Sequence, residues 1–167
     1  MTRMTDPIRP TDDEARSLAR ALLDDADHCA LGVLEPESGA PMVTRIALTC
    51  DAEGRPLTLV SSLSAHSKAM TASSLVSLLV GDPGEKGDAL THPRLTLQAR
   101  AEEIHRDAPQ FPALRDHYLL QKPKSKLFID FGDFYLVRFH VTRAFLNGGF
   151  GRAFHLTPAD LKLPEAL

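Results

Sequence analysis

The stretch PMVTRIALTC at residues 41–50 decides the fold, because its side chains alternate with the period of two that is typical of a β-strand. One face of this strand is predicted to carry Met42, Thr44, Ile46, Leu48 and Cys50, and the opposite face Val43, Arg45, Ala47 and Thr49. The turn DAEG follows at residues 51–54, and its glycine allows the positive φ that a tight hairpin needs. Residues 56–62 are therefore predicted to return as the partner strand.

Further strands are predicted on both sides of this hairpin. They cover residues 29–34, 75–80, 94–104 and 134–141, with 145–147 extending the last strand after a break. Most of these strands are joined by short links, which favour antiparallel pairing. The pattern predicts a mainly β (α+β) fold, a six-stranded antiparallel barrel with peripheral helices.

Three helices are predicted at the margins of this barrel. The first begins at a capping box formed by Thr11 and Glu14, carries an apolar stripe for about four turns and ends near His28. The second covers residues 64–73, with Ser64 as its N-cap. The third covers residues 107–121, where two prolines restrict the start.

Composition and charge exclude several classes of protein. The chain has 167 residues, 43% of them apolar and 25% charged, which is typical of one soluble globular domain. A net charge of −3 argues against a general nucleic-acid binder. The longest apolar run, residues 75–80, is too short to cross a membrane, and the start lacks the apolar core of a secretion signal. Cys29 and Cys50 form neither a disulfide framework nor a zinc motif, and we expect a cytoplasmic protein.

Well-known catalytic and metal-binding motifs are absent from the sequence. There is no GxxxxGK[ST], HExxH, GxSxG or GxGxxG motif. The seven histidines show no spacing that is typical of metal ligands. The sequence therefore predicts no metal site and identifies no catalytic residue.

The most informative polar stretch is SSLSAHSK at residues 61–68, where a strand gives way to a helix. Helix N-termini favour anions, serine hydroxyls donate to phosphate oxygens, and Lys68 supplies positive charge. Arg45, on the preceding strand of the same hairpin, could bind the same phosphate through its guanidinium. The alternative is a polar strand end capped by Ser64, with Arg45 exposed to solvent.

Three further segments have both a functional and a structural interpretation. Arg94, Thr96, Gln98 and Arg100 alternate along one strand, either as a solvated face or as donors around a flat heteroaromatic ligand. The glycines of NGGFGRA at residues 147–153 allow close backbone approach, or make a flexible exit from the last strand. The lysines at 122, 124 and 126 form a basic patch that is typical of a solvated surface.

Six segments together resemble the flavin-binding split-barrel superfamily typified by pyridoxamine 5′-phosphate oxidase, and within it most of all the haem-utilisation flavoproteins. They occur in the order of that superfamily and span roughly residues 12–155. The segments are TRIAL (44–48), VSSLSAHSK (60–68), GDP (81–83), LTHPRLTL (90–97), KSKLFIDFGDF (124–134) and GGFGRA (148–153).

The resemblance implies a split β-barrel subunit of a homodimer that binds FMN at the interface between the subunits. We expect a flexible N-terminus over residues 1–10, as is usual for chain termini, an FMN-binding domain over 11–157 and a tail over 158–167. Arg45 matches the arginine that holds the flavin phosphate, Ser67-Lys68 match an Arg-Lys pair, and Arg94 aligns with a glutamine near the ring. The implied cofactor-binding residues are Arg45, Ile46, Ala47, Leu48, Val60, Ser61, Ser62, Ser67, Lys68 and Arg94.

Three departures from the family pattern limit what can be carried over. Thr49 and Cys50 stand where the oxidase has a lysine that favours a reduced, anionic flavin. The oxidase's C-terminal clamp with its tryptophan and arginines has no counterpart, so we do not expect synthesis of pyridoxal phosphate. The C-terminal domain that supplies a haem ligand in the longer haem-utilisation proteins has no counterpart either, although His155 could substitute for that ligand.

Three functions remain open from the sequence. The first is an FMN-dependent oxidoreductase that acts on an unknown small molecule. The second is a haem-binding or haem-degrading module, and the third a non-catalytic carrier or sensor of flavin or tetrapyrrole. In each case we expect a homodimer that binds a small molecule or tetrapyrrole, and neither a nucleic acid nor a membrane.

Overall fold

The computed structural model describes residues 6–166, which form an α+β fold dominated by one sheet. Its strands are β1 (Ile8–Arg9), β2 (His28–Leu34), β3 (Pro41–Ala47), β4 (Thr49–Cys50), β5 (Pro56–Ser61), β6 (Leu75–Val80), β7 (Arg94–Ile104), β8 (Phe134–Asn147) and β9 (Ala153–Leu156). Its α-helices are α1 (Asp13–Asp24), α2 (Ala65–Ala72) and α3 (Phe111–Gln121). None of the helices within residues 6–166 has the length and apolar character needed to cross a bilayer.

The sheet is antiparallel at every strand pair of residues 6–166 except one. Its main path runs β1-β9-β8-β7-β6-β2-β3, and β8 also pairs with β5, which pairs with β4. The exception is β1, which is parallel to β9. The antiparallel, mainly β architecture with marginal helices was therefore predicted correctly.

The strand predicted over residues 41–50 is interrupted at Leu48, which separates β3 from β4. The Leu48 amide donates to the carbonyl oxygen of Asp27 at 2.9 Å instead of to a sheet ladder, and the Leu48 side chain is fully buried. This interruption, together with the additional strands β1 and β9, gives nine strands within residues 6–166 where six were predicted.

The cap of helix α1 was predicted wrongly. The carboxylate of Asp12, not the Thr11 hydroxyl, accepts the amide of Ala15 at 2.8 Å. The Thr11 hydroxyl donates to the carbonyl oxygen of His155, and the Glu14 carboxylate pairs with Arg152. The helix also ends at Asp24, because His28 already begins β2.

The break predicted within the last long strand is a β-bulge. Strand β8 runs without interruption through Thr142, and its register with β7 shifts between Gln98 and Ala99. The Thr142 hydroxyl donates to the Gln98 carbonyl oxygen at 3.1 Å. An extra residue on one strand of an antiparallel pair bends the ladder without ending it.

The N-terminal segment and the glycine-rich segment are more ordered than the sequence predicted. Ile8 and Arg9, expected to be loose, pair with Ala153 and Phe154, whereas residues 1–5 of that predicted flexible segment lie outside the described residues. The amide of Gly148 donates to the carbonyl oxygen of Arg152 at 2.8 Å, which closes a turn between β8 and β9. The segment predicted as a flexible exit is thus a hairpin connection.

Two apolar cores hold the sheet in place. The larger lies between the inward faces of the strands and helix α1, and the smaller lies under α3, which packs on β5 and β8. Residues alternate between buried and outward-facing along β2, so that Cys29, Leu31 and Val33 enter the larger core. The opposite, outward face of β2, β3, β6 and β7 is left partly open to solvent.

Candidate ligand-binding site

Arg45 and Ser61, predicted to share a ligand, lie on neighbouring strands. Thr49 of β4 pairs with Leu57 of β5, and the Thr58 hydroxyl of β5 donates to the Ala47 carbonyl oxygen at 2.5 Å, so that β3 lies beside β5. Arg45 is exposed on the outward face of the sheet. It makes no hydrogen bond or ion pair with residues 6–166, so its guanidinium is free to bind an anion.

A serine-rich turn connects Ser61 with the start of helix α2. The Ser64 hydroxyl donates to the Ser61 carbonyl oxygen at 2.6 Å, and the Ser61 hydroxyl accepts the Leu63 amide at 3.2 Å. Ser64 occupies the N-cap position as predicted, but its side chain makes no capping hydrogen bond. The first turn of α2 therefore keeps amide groups that can donate to an anion.

Lys68 and Ser67 differ in their access to a ligand at this turn. Lys68 is exposed and pairs with no carboxylate of the described residues. Ser67 is 1% exposed, and its hydroxyl lies 3.4 Å from that of Ser64. Lys68 can therefore reach a bound anion, whereas Ser67 supports the turn from inside.

A carboxylate occupies the side of this turn where a phosphate was predicted. The Ser61 hydroxyl donates to Asp133 Oδ2 at 2.5 Å, and the Ser62 amide donates to the Asp133 carbonyl oxygen at 2.8 Å. Like charges repel, and they do so more strongly where water is partly excluded. A phosphate dianion could use the Ser61 hydroxyl only if Asp133 moved away.

The other residues predicted to contact a flavin ring face mostly into the protein. Ile46, Leu48 and Val60 belong to the larger core, so their side chains do not reach the outward face. Ala47 is exposed on that face, next to Arg45 along the strand. Only the backbone of the buried residues could take part in a site on the outward face.

Arg94 lies away from the Arg45 cluster, on the same sheet. The strands β2 and β6 separate β7 from β3, which corresponds to roughly 14 Å at the usual distance between strands. The Arg94 guanidinium donates to the carbonyl oxygens of Leu90 and His92. Arg45 and Arg94 therefore lie at two sides of a shared surface and do not form one anion site.

The surface between them is the outward face of the sheet, which we call the outer face. Cross-strand partners form a row across it: Arg45, Ala30, Leu79, Thr96, Phe145 and His155. A second row consists of Val43, Gly32, Ser77, Gln98 and Arg143. An open cavity of about 480 Å³ lies over the second row. Because its central residues are small, the outer face can accept a flat ligand.

The far side of the outer face combines aromatic and cationic groups. The Arg143 guanidinium lies over the Phe145 ring, 4.4 Å from its centroid. His155 meets the same ring edge-on at 4.9 Å, and it forms no side-chain hydrogen bond with the described residues. These groups can stack on a flat ring and neutralise an acidic substituent.

A polar cluster beside Lys68 was missed at the sequence level. Glu103 binds the Thr71 hydroxyl and the His105 ring, which stacks on Tyr135 at 4.5 Å. Burial alone would raise the pKa of Glu103, but its bonds with Thr71 and His105 outweigh burial and lower it. The cluster lines a cavity of about 440 Å³, and its members are too far apart in sequence to form a motif.

Comparisons with known proteins identify a family model and several similar proteins. A family model described as CREG, beta-barrel matches residues 10–161. The non-canonical heme oxygenase HOZ, chloroplastic, of Arabidopsis thaliana is 34% identical over 121 residues, which are 66% of this chain and 36% of that protein. The structure of a heme binding protein from Mycobacterium smegmatis is 26% identical, with a TM-score of 0.79 over 95% of this chain and 63% of that one.

A more distant structure shares the fold alone. It is a protein of the pyridoxinephosphate oxidase family from Clostridium acetobutylicum, 12% identical, with a TM-score of 0.68 over 90% of this chain and 99% of that one. The chain spans about a third of the Arabidopsis relative and less than two thirds of the mycobacterial protein. Together these likenesses confirm the resemblance to the split-barrel superfamily and to its haem-utilisation proteins.

Proposed function

The chain belongs to the CREG β-barrel family, and we propose that its outer face binds a flat, acidic cofactor, with haem as the first candidate. Haem is a planar, mostly apolar ring with two carboxylates. The outer face offers the small residues Ala30, Gly32 and Ser77 at its centre and the cations Arg45 and Arg94 at its sides. Arginine suits this role because its fork-shaped guanidinium can bind a carboxylate with two hydrogen bonds.

The relatives support haem as the first candidate. One is named a heme oxygenase and another a heme binding protein. The Asp133 carboxylate at Ser61 also favours haem over a phosphate-bearing cofactor, because a haem carboxylate can bind Arg45 or Arg94 without the Ser61 hydroxyl that Asp133 already occupies. This position of Asp133 is the observation that carries the proposal.

The protein's own contribution would be to hold the ring, neutralise its acidic groups and exclude water from one side of it. When bound, haem would supply the redox chemistry of its iron, which amino-acid side chains do not provide. With a suitable electron donor, this chemistry would degrade the ring. Without one, the protein would only store haem.

FMN is the second candidate, and the free cations of the serine-rich turn favour it. Arg45 and Lys68 are both exposed and unpaired within residues 6–166, and they flank a helix start with available amides. With FMN bound there, the protein would be a flavin-dependent oxidoreductase acting on a small molecule, or a carrier of flavin without turnover. This arrangement requires Asp133 to leave Ser61.

We further propose that the site is completed by a second copy of the chain. Large apolar side chains are exposed on or beside the outer face, namely Leu34, Val43, Leu75 and Leu79. Such patches mark interaction surfaces, and a twofold partner would cover both the patch and the ligand. If β4 is counted as the continuation of β3, hydrogen-bonded strand pairs close a ring in the order β2, β3, β5, β8, β7 and β6. This closed ring supports a six-stranded split barrel.

Parallel absorbance titrations with ferric haem and with FMN test this proposal. Binding of haem is expected to shift and sharpen the Soret band to saturation, while FMN binds weakly or not at all. Saturable FMN binding without any haem shift would transfer the proposal to the second candidate. A protein that binds neither ligand would refute the site.

A further inference from the structure

Arg100 of β7 lies beside Arg143 of β8 on the outer face. Arg143 is the cross-strand partner of Gln98, and Arg100 follows Gln98 by two residues on the same face of β7. Diagonal neighbours of this kind are about 7–8 Å apart in an antiparallel pair. Both arginines are exposed, so their long side chains can reach the same group of a ligand.

The β-bulge in β8 is what turns Arg143 to the outer face. Arg100 pairs with His140 on one side of the bulge. Regular alternation from this pair would place Thr142 opposite Gln98 and would turn Arg143 into the core. The extra residue shifts the register by one, and Arg143 takes the position opposite Gln98. Bulges often re-aim a side chain in this way next to a functional site.

The two positive charges have no counter-ion within residues 6–166. Neither arginine forms an ion pair there, and Glu102, which follows on the same face of β7, is already bound by Arg138 and His140. Like charges on neighbouring strands repel each other, so this pair of cations is unfavourable in the free protein. An anion bound between the two guanidinium groups would relieve the repulsion.

Neighbouring side chains prepare this pair of cations for an acidic group. The Arg143 guanidinium lies over the Phe145 ring, 4.4 Å from its centroid, and this contact limits the freedom of a long side chain. A side chain that is already restricted loses less entropy when it binds a ligand. The exposed amide of Gln98 can donate a further hydrogen bond beside it.

The open cavity of about 480 Å³ begins beside these cations. Leu75, the cross-strand partner of Arg100, lines it. So does Gln98, the partner of Arg143. The lining on β2 and β3, at the opposite side, is apolar and includes the exposed Val43. The cavity therefore suits a ligand with an apolar body and an acidic group on the side of β7 and β8.

We infer that Arg100 and Arg143 together bind one carboxylate of the ring on the outer face, and we call them the arginine clamp. The inference rests on the proposed haem function and leaves the other carboxylate for Arg45 or Arg94. Because the clamp lies at one side of the cavity, it fixes the orientation of the ring and selects rings that carry a free carboxylate. Removing the carboxylate from the ligand should therefore have the same effect as removing the arginines from the protein.

The test is a titration of ferric haem and of its dimethyl ester, in the same detergent-containing buffer, into wild type, Arg100→Gln and Arg143→Gln. Each variant is expected to bind haem about 10- to 100-fold more weakly, because charge-assisted hydrogen bonds are lost. Each should bind the dimethyl ester as wild type does, because the ester has no carboxylate for the clamp. Lys126→Gln, which removes an exposed cation elsewhere, should bind both ligands as wild type does.

Stability and oligomeric state separate the clamp from a structural role. Arg100→Gln should unfold at the same or a higher urea concentration than wild type, because the substitution relieves the repulsion between the two cations. A clearly less stable variant would show that Arg100 supports the fold instead. Both variants should keep the oligomeric state of the wild type in light scattering, and its loss would assign the arginines to an interface between copies.

Two results would overturn the arginine clamp while leaving the haem function intact. One is an undiminished haem affinity in both variants, and the other is an equal loss of affinity for haem and for its dimethyl ester. A wild-type protein that binds no haem would refute the proposed function and the clamp together.

Discussion

At the scale of single residues, the proposed binding is expected to depend most on Arg45. This guanidinium projects from a β-strand into solvent and makes no hydrogen bond or ion pair with residues 6–166, so that no protein partner has to be displaced when a ligand binds. Asp133 acts in the opposite sense, because it places a negative charge at the Ser61 hydroxyl. We expect the balance between these charges to decide which acidic ligand is accepted.

The first prediction concerns Arg45. Replacing it with alanine should weaken binding of haem or FMN by about 10- to 100-fold, because charge-assisted hydrogen bonds contribute about 1.5–3 kcal/mol. Titration calorimetry measures this loss. Lys124→Ala, which removes an exposed cation elsewhere, should leave the affinity unchanged, and equal losses in both variants would show that only overall charge matters.

The second prediction concerns Asp133. The variant Asp133→Asn removes the charge at Ser61 and should increase FMN affinity several-fold while leaving haem affinity nearly constant. Glu37→Gln, in the exposed turn between β2 and β3, makes the same change of net charge and serves as the control. An Asp133→Asn protein whose FMN affinity is no higher than that of the control would mean that the carboxylate does not restrict the phosphate.

At the scale of elements, turns and caps hold the strands that carry the site. Asp51 ends β4 with its Oδ1 accepting the amides of Glu53 and Arg55, both at 2.9 Å. Its other oxygen lies 2.9 Å from Arg138 Nε of β8, although the two atoms are not aligned for a hydrogen bond. This buried charge pair connects the β4–β5 turn with β8, the strand that pairs with β5.

The third prediction concerns this charge pair. Asp51→Ala should lower the free energy of unfolding by about 3 kcal/mol, because it removes the buried carboxylate beside Arg138 Nε and the acceptor of the Glu53 and Arg55 amides, and leaves Arg138 only Glu102, 3.6 Å away. Urea unfolding followed by circular dichroism measures the loss. The double variant Asp51→Ala with Arg138→Met should recover part of it, and a single variant as stable as the wild type would show that the pair contributes little.

The fourth prediction separates the two possible caps of α1. Asp12→Ala should cost about 1 kcal/mol of unfolding free energy, the usual value for a side chain that caps a helix N-terminus. Thr11→Ala should cost less, because its hydroxyl bonds to His155 at an exposed site. If Thr11→Ala destabilised the protein more than Asp12→Ala in urea unfolding, the capping box predicted from the sequence would be supported instead.

Sequence patterns predicted some elements better than others for clear physical reasons. The bounds of β7 were predicted correctly because regular alternation continues to its ends, and those of β6 because its apolar run is bounded by serines and a glycine. The run predicted β6 to be buried on both faces, which is wrong, since Leu75 and Leu79 are exposed on the outer face. The interruption at Leu48 could not be predicted, because it depends on a carbonyl of Asp27 brought close by folding. The same holds for β1, a two-residue strand that exists through its pairing with β9.

The candidate site was likewise predicted only in part from the sequence. Arg45 and Lys68 were predicted as the cations of a phosphate site; both are exposed, and their role in binding stays a prediction. Asp133 was not considered as a partner of Ser61, because 72 residues separate them in sequence.

At the scale of the whole molecule, the sheet has one face filled by its core and one that is partly open. Apolar residues such as Val43, which is 70% exposed, lie on the open face beside the free arginine. Leaving such a patch in water is unfavourable, and a second copy of the chain would cover it. Dimerisation and ligand binding are therefore expected to depend on the same surface.

The fifth prediction concerns this surface. Val43→Asp should convert a dimer into a monomer in light scattering and should weaken ligand binding at the same time, because a charge would be buried between the copies. Leu120→Asp, at an equally exposed position on α3, should change neither. A wild-type protein that is monomeric at all concentrations would contradict the dimer proposal.

The most direct test of the central claim is the absorbance spectrum of the protein purified from haem-supplied cells, recorded before and after acid release of any ligand. We predict a Soret band in the native protein and a free tetrapyrrole in the acid extract. A colourless protein, or one that releases only a yellow flavin, would contradict the proposal that haem occupies the outer face.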